Sequence, residues 1–140
     1  MPFDRINDIA LHHRADGPDG APAIVLINSL GTDFRIWDAV VPELIGRYRV
    51  IRYDKRGHGL SQVAPAPYKM DDHSADLLGL LDHYGLDRAL VVGLSIGGLI
   101  ALGLAAGNEP RLAGLVMMDT AHRIGDAEGW NARIAAIETD

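Results

Sequence analysis

Cysteine is absent from the 140 residues. Its absence excludes disulfides, a thiolate nucleophile and cysteine-ligated metal sites, and it fits a reducing cytoplasm. An excess of positive charge is also missing: 13 Lys and Arg stand against 19 Asp and Glu, for a net charge of -6. A general nucleic-acid binder would need a basic face, so that class is set aside. An anionic ligand would have to be held by a local cluster of cations against the overall field. The N-terminal stretch "MPFDRINDIALHH" has Asp4, Asn7 and Asp8 where a secretory leader needs an apolar region. No repeat and no low-complexity tract is present. One charge-free run, "ALVVGLSIGGLIALGLAAG" (Ala89 to Gly107), is long enough to cross a bilayer as a helix. It divides instead into a β-branched strand and a small-residue helix flanked by charged loops, and no membrane span is read from it.

A 48% hydrophobic fraction supports one packed domain. Residues 3–15 alternate about Asn7-Asp8 and read as an edge hairpin. Ala15 to Pro22 reads as a loop, and "AIVLIN" (Ala23 to Asn28) as a strand buried on both faces. Asp33 is placed to cap a helix carrying Phe34, Trp37, Val40, Val41 and Leu44, kinked or divided by Pro42. Further strands are expected over 48–54, 88–93 and 112–119. Helices are expected after an N-cap at Asp71 or Asp72, with Leu77, Leu78, Leu81 and Tyr84 as its stripe and Gly85 closing it, and over 96–107. Asp126 caps a last amphipathic segment with Trp130, Ile134 and Ile137 on one face. Strands alternating with helices imply an α/β architecture: a mostly parallel sheet covered on both faces. Ligands bind such sheets at the carboxyl ends of the strands, here at Asn28, Asp54, Gly93 and Asp119.

At one of those ends lies "GLSIG", Gly93 to Gly97, between a strand and a helix. G-x-S-x-G in that setting is the nucleophile elbow: Ser95 takes strained backbone angles, and the residues two away must lack side chains. A dinucleotide loop would need glycine where Ser95 stands, and a phosphate loop would need Gly-Lys-Ser/Thr. The loop "NSLGT" (Asn28 to Thr32) follows the first buried strand and can present a backbone N–H. The Leu30 and Ile96 amides are therefore the expected oxyanion donors. His58, in "DKRGHGLS", reads as a loop-forming residue more than as a base. No histidine pair sits at i, i+4 with a third ligand, so no metal site is expected.

A serine needs a base to take its proton. In this chain order, acid and histidine follow the serine, and after Ser95 the one histidine is His122. Asp119 and His122 together would need a contorted loop; Asp119 as the acid with a histidine from elsewhere is the easier alternative, since some enzymes of this architecture place the acid after this strand. The expectation is that the sequence is truncated before the last strands of the fold, since "RIAAIETD" closes without a helix stop signal and 112–119 would be an unpaired apolar edge.

"LINSLGTDFRIWD", "VIRYDKRGHGLS", "PYKMDDHSADLLGLLDHYGLDRALVVGLSIGGLIALGLAA" and "MDTAHRIGDAEGWNARIAAI" together resemble the 3-oxoadipate enol-lactonases of the α/β-hydrolase superfamily. "GLSIGG" and "YDKRGHG" are widespread in that superfamily, while "NSLGT" and "WNARI" point to the lactonase branch. The resemblance implies an α/β-hydrolase fold, with residues 1–120 as the N-terminal part of the core and 121–140 as the start of a cap. It places the nucleophile on Ser95 and the oxyanion donors on Leu30 and Ile96. It also implies a cytoplasmic, cofactor-free enzyme of bacterial protocatechuate and catechol breakdown, acting on a small-molecule substrate without nucleic acid or membrane. The family's acid and histidine match nothing here, so a C-terminal half is expected to be needed for activity. Trp130 and Arg133, on the expected cap, are candidates to hold the substrate carboxylate, Arg133 because its guanidinium can clasp it through two N–H groups. Another hydrolase of the fold (small esterase, cofactor-free haloperoxidase, C–C hydrolase) and a non-catalytic binding protein are the competing readings.

Overall fold

The computed structural model describes residues 2–139. Strands β1 (Phe3–Ile6) and β2 (Ile9–Asp16) form the expected hairpin, with Ile6 paired to Ile9. Asn7 and Asp8 both have positive φ, 46° and 66°. That is the handedness a two-residue hairpin turn requires, and Asn and Asp tolerate it. β2 runs one residue past the expected hairpin, and Ala15 and Asp16, which loop composition also claims, pair with Ile51 and Val50. Ladder hydrogen bonds there outweigh local turn propensity.

Four strands make the parallel part of the sheet: β3 (Ala23–Ile27), β4 (Arg49–Tyr53), β5 (Ala89–Leu94) and β6 (Leu112–Met118). The order is β1-β2-β4-β3-β5-β6, with β1 and β2 antiparallel to their neighbours. All five residues of β3 are buried, as a central strand covered on both faces demands. Period-two alternation divides them. Ala23, Val25 and Ile27 join Ile51, Val91, Leu77, Leu80, Ile100 and Leu104 on one side. Ile24 and Leu26 join Val50, Trp37 and Val41 on the other. The first side is roofed by α2 (Met70–His83) and α3 (Ile96–Ala106), and the second by a 3-10 turn (Phe34–Trp37) and the one-turn helix α1 (Val41–Leu44). The last helix, α4 (Ala127–Glu138), has no buried residue.

Two helix starts differ from the sequence expectation. The helix expected after Asp33 is split into the 3-10 turn and α1, and the break falls before Pro42, which occupies the first turn of α1, where its missing N–H costs nothing. Asp33 does cap the turn, accepting from the Arg35 amide at 2.9 Å. Helix α2 begins two or three residues earlier than a cap at Asp71 or Asp72 implies. Lys69 is its N-cap, and Asp72 sits in the third helical position, where its carboxylate accepts from the Lys69 amide at 2.7 Å. An acidic side chain there is favoured by the helix dipole as much as at the cap itself, so sequence cannot separate the two registers. The other end closes as expected: Gly85 has φ 60°, and the Gly85 and Leu86 amides donate to Asp82 and Leu81. Asp126 caps α4 by accepting from Gly129 at 2.8 Å. Of the expected apolar face of α4, Trp130 is half-buried while Ile134 and Ile137 are exposed.

Candidate active site

β5 ends at Leu94 and α3 starts at Ile96, leaving Ser95 alone in the turn with φ 55° and ψ -118°. A non-glycine residue there costs about 1–3 kcal/mol of strain and must be held by its surroundings. Hydrogen bonds on both sides of the residue hold it. The Ser95 amide donates to Met118 O at 2.8 Å, and Ser95 O accepts from the Gly98 amide at 2.9 Å and from Thr120 Oγ1 at 2.7 Å. The glycines are explained one by one. A Cβ on Gly93 would collide with the Gly97 carbonyl, one on Gly97 would lie 2.5 Å from Ile27 O, and one on Gly98 would lie 2.6 Å from Thr120 Cγ2. The strand, the turn and the helix can meet this closely only without side chains.

A cleft of about 220 Å³ opens over this turn, lined by Leu30, Met70, Ser95, Ile96, Leu99, Ile124 and Trp130. Both expected oxyanion donors thus share the cleft with the serine. Ile96 is the first residue of α3, where N–H groups have no intrahelical acceptor and the helix dipole is positive. Leu30 lies in the turn after β3, and that turn is tied from several sides. Lys55 Nζ donates to Asn28 O at 3.0 Å and to Ser29 O at 2.9 Å. Asn28 Nδ2 donates to Thr32 O and Oγ1, and Thr32 Oγ1 donates to Ser29 O at 2.9 Å. Lys55 is fully buried, and desolvation lowers its pKa to about 8 against the opposing pull of Asp54.

The segment "YDKRGHGLS" is decoded by its partners. The Asp54 carboxylate accepts from the Phe34 amide (2.8 Å), the Leu60 amide (2.9 Å) and His12 Nδ1 (2.7 Å). Arg56 reaches α2 by a two-pronged pair with Asp76 at 2.7 and 2.6 Å. His58 turns its Nδ1 to Arg56 O at 3.0 Å and lines a different cleft, with Leu30, Gly31 and Thr32. Burial lowers its pKa. Asp54, Lys55 and Arg56 therefore each fasten one loop or helix around the strand ends. Lys55 and Thr120 carry no sequence signal of this role, since their acceptors lie 26 and 25 residues away.

Trp130 comes to the cleft, its Nε1 donating to Ile124 O at 2.8 Å. Arg133 does not line the cleft; its guanidinium lies 4.9 Å over the Trp130 ring on an exposed helix. Asp119 and His122 are exposed and also lie outside the cleft lining. Among the described residues no histidine or carboxylate lines the Ser95 cleft.

A strained serine alone in the turn between a parallel strand and a helix, with glycines two residues to either side, is the G-x-S-x-G turn of the α/β-hydrolase fold, and the match of residues 22–133 to the α/β-hydrolase fold family model agrees. The chain belongs to the α/β-hydrolase family. It is 37% identical over 130 residues to 3-oxoadipate enol-lactonase 2 of Acinetobacter baylyi, covering 93% of this chain and 49% of that protein. It is 40% identical over 125 residues to 3-oxoadipate enol-lactonase 1 of the same organism, covering 89% and 47%. The crystal structure of the enol-lactonase from Burkholderia xenovorans LB400 superposes with a TM-score of 0.94 at 42% identity, over 99% of this chain and 54% of that one. The chain thus spans about half the length of the relatives it matches.

Proposed function

We propose that this chain carries the nucleophile and oxyanion half of a serine hydrolase that opens a small carboxylate-bearing enol-lactone to 3-oxoadipate, in bacterial degradation of protocatechuate and catechol. The observation that carries the reading is Ser95 at φ 55°, facing one cleft with Leu30 and Ile96. The similarity to enol-lactonases supports the substrate class. Ser95 Oγ attacks the lactone carbonyl, and the Leu30 and Ile96 N–H groups take the charge that develops on its oxygen. Loss of one such donor typically slows turnover about 10²–10³-fold. The ring C–O bond breaks, the enolate leaves and takes a proton to become the ketone, and water then hydrolyses the acyl-enzyme. Leu30, Met70, Leu99, Ile124 and Trp130 give the cleft apolar walls around the reacting carbonyl.

The base for Ser95 Oγ and its orienting acid come from chain outside these 140 residues, because no such group lines the cleft among the described residues. Steady-state hydrolysis of the enol-lactone and of p-nitrophenyl acetate tests the reading, with the 140-residue chain and with a longer polypeptide that carries it. The chain alone should stay at buffer background. The longer polypeptide should prefer the enol-lactone and lose about 10⁴-fold or more on Ser95→Ala. Ser95-dependent turnover by the short chain would place the base within it, and a longer polypeptide that strongly prefers the simple ester would not be a lactonase.

A further inference from the structure

At the opposite edge of the sheet, three metal-ligating side chains converge from three elements that sequence keeps apart. Asp4 lies on β1, His13 on β2 and His83 in the last turn of α2. Their ligand atoms all fall within 4.8 Å of one another. Asp4 Oδ2 is 3.1 Å from His13 Nε2 and 3.6 Å from His83 Nε2. Three ligands about 2.0–2.1 Å from a tetrahedral ion stand about 3.3 Å apart, so two of the three edges are already near that spacing. The third closes by rotation of the exposed His83 side chain. The sequence expectation of no metal site rested on helical spacing, which cannot register a site assembled by a hairpin and a helix end.

A second observation points the same way. His13 is fully buried, and its other ring nitrogen, Nδ1, lies 2.6 Å from the Tyr84 hydroxyl. Histidine ligands characteristically have the second nitrogen fixed by such a partner, which sets the tautomer and aims the ring. A phenol suits both states. Without an ion, His13 Nε2–H donates to Asp4 and Nδ1 accepts from Tyr84 O–H. With an ion on Nε2, the proton sits on Nδ1 and donates to Tyr84 Oη. Tyr84 is itself fixed, with the Arg49 guanidinium 5.2 Å over its ring.

We propose that Asp4, His13 and His83 bind a divalent transition-metal ion through two imidazoles and one carboxylate, clamping the N-terminal hairpin to the end of α2. Nitrogen-rich sites of this kind select Zn²⁺ or Ni²⁺ over Mg²⁺, which demands oxygen ligands. Positions left open on the ion are filled by water. The site is remote in the sheet from the Ser95 turn: β1 and β2 form one edge, and β5 and β6 the other. Its role is therefore structural and independent of the proposed hydrolysis.

Calorimetric titration of the chain with ZnCl₂, NiCl₂ and MgCl₂ tests this, alongside thermal unfolding with each salt. One Zn²⁺ per chain is expected with a dissociation constant of about 10 µM or tighter, with no Mg²⁺ binding. His83→Gln and Asp4→Asn should each weaken binding by about tenfold or more, and Tyr84→Phe by about 10–100-fold, while His122→Gln leaves it unchanged. Zn²⁺ should raise the unfolding temperature of the parent chain and not of His83→Gln. His83 is exposed, so that variant leaves the fold intact. Zn²⁺ binding weaker than about 10 µM, or equal affinity in His83→Gln, overturns the proposal.

Discussion

His73 shows how a single buried residue sets a property of the fold. It is 6% exposed, its Nδ1 has no hydrogen-bond partner among the described residues, and its ring meets the edge of Tyr68 at 6.2 Å. Desolvation lowers its pKa to about 4. The folded chain keeps the ring neutral where the unfolded chain takes a proton, below about pH 6.5. As pH falls from 6.5 towards 4, the unfolded state binds more protons and stability declines. The contribution reaches about 3 kcal/mol by pH 4, and His13 and His58, also lowered by burial, add in the same direction. Urea unfolding of the parent and of His73→Leu at pH 7 and pH 4.5 isolates the share of His73. The variant should lose about 2–3 kcal/mol less between the two pH values, and equal losses would assign the acid sensitivity elsewhere.

The elements are fastened to one another by contacts that tolerate little change. Asp76, on α2, is fully buried and holds Arg56 and Asn7 together, Asn7 Nδ2 donating to it at 2.8 Å. This one carboxylate joins the hairpin turn, the loop after β4 and the helix. Asp76→Ala leaves a buried guanidinium unpaired and should cost about 3–5 kcal/mol in chemical denaturation, whereas replacing both partners by apolar residues should recover much of it. Gly97 is constrained more severely, because its neighbour is the backbone of a central strand and cannot rotate away. Gly97→Ala should destabilise by about 2 kcal/mol or more and displace Ser95, readable as lost amide protection in α3 by hydrogen exchange.

Across the whole molecule, the two sheet edges differ. The β1 edge is short and carries Asp4, Arg5 and a tight turn. The β6 edge is seven residues long, and Val116, Met117 and Met118 are all more than 40% exposed. An unpaired strand edge with apolar side chains is a template for pairing. The chain should therefore associate with itself through β6 at about 100 µM, seen as a rising sedimentation coefficient, and Val116→Lys should reduce that association. No helix among the described residues is long and apolar enough to cross a membrane, because the charge-free run is broken at Ser95 into β5 and α3.

Local pattern determined the strands, the division of the long apolar run, the hairpin at Asn7-Asp8, the closure of α2 at Gly85 and the place of Ser95. These depend on periodicity and on backbone angles that few residues accept, and both are written in neighbouring positions. The register of the α2 cap and the end of β2 were not legible, because several acidic positions suit a helix start and a partner strand can extend a ladder into loop-like composition. The ties of Lys55 and Thr120, the removal of Arg133 from the cleft lining and the gathering of Asp4, His13 and His83 were decided by tertiary structure alone. Each joins residues far apart in the chain, and such contacts follow from how the sheet and its helices pack, which no local spacing encodes.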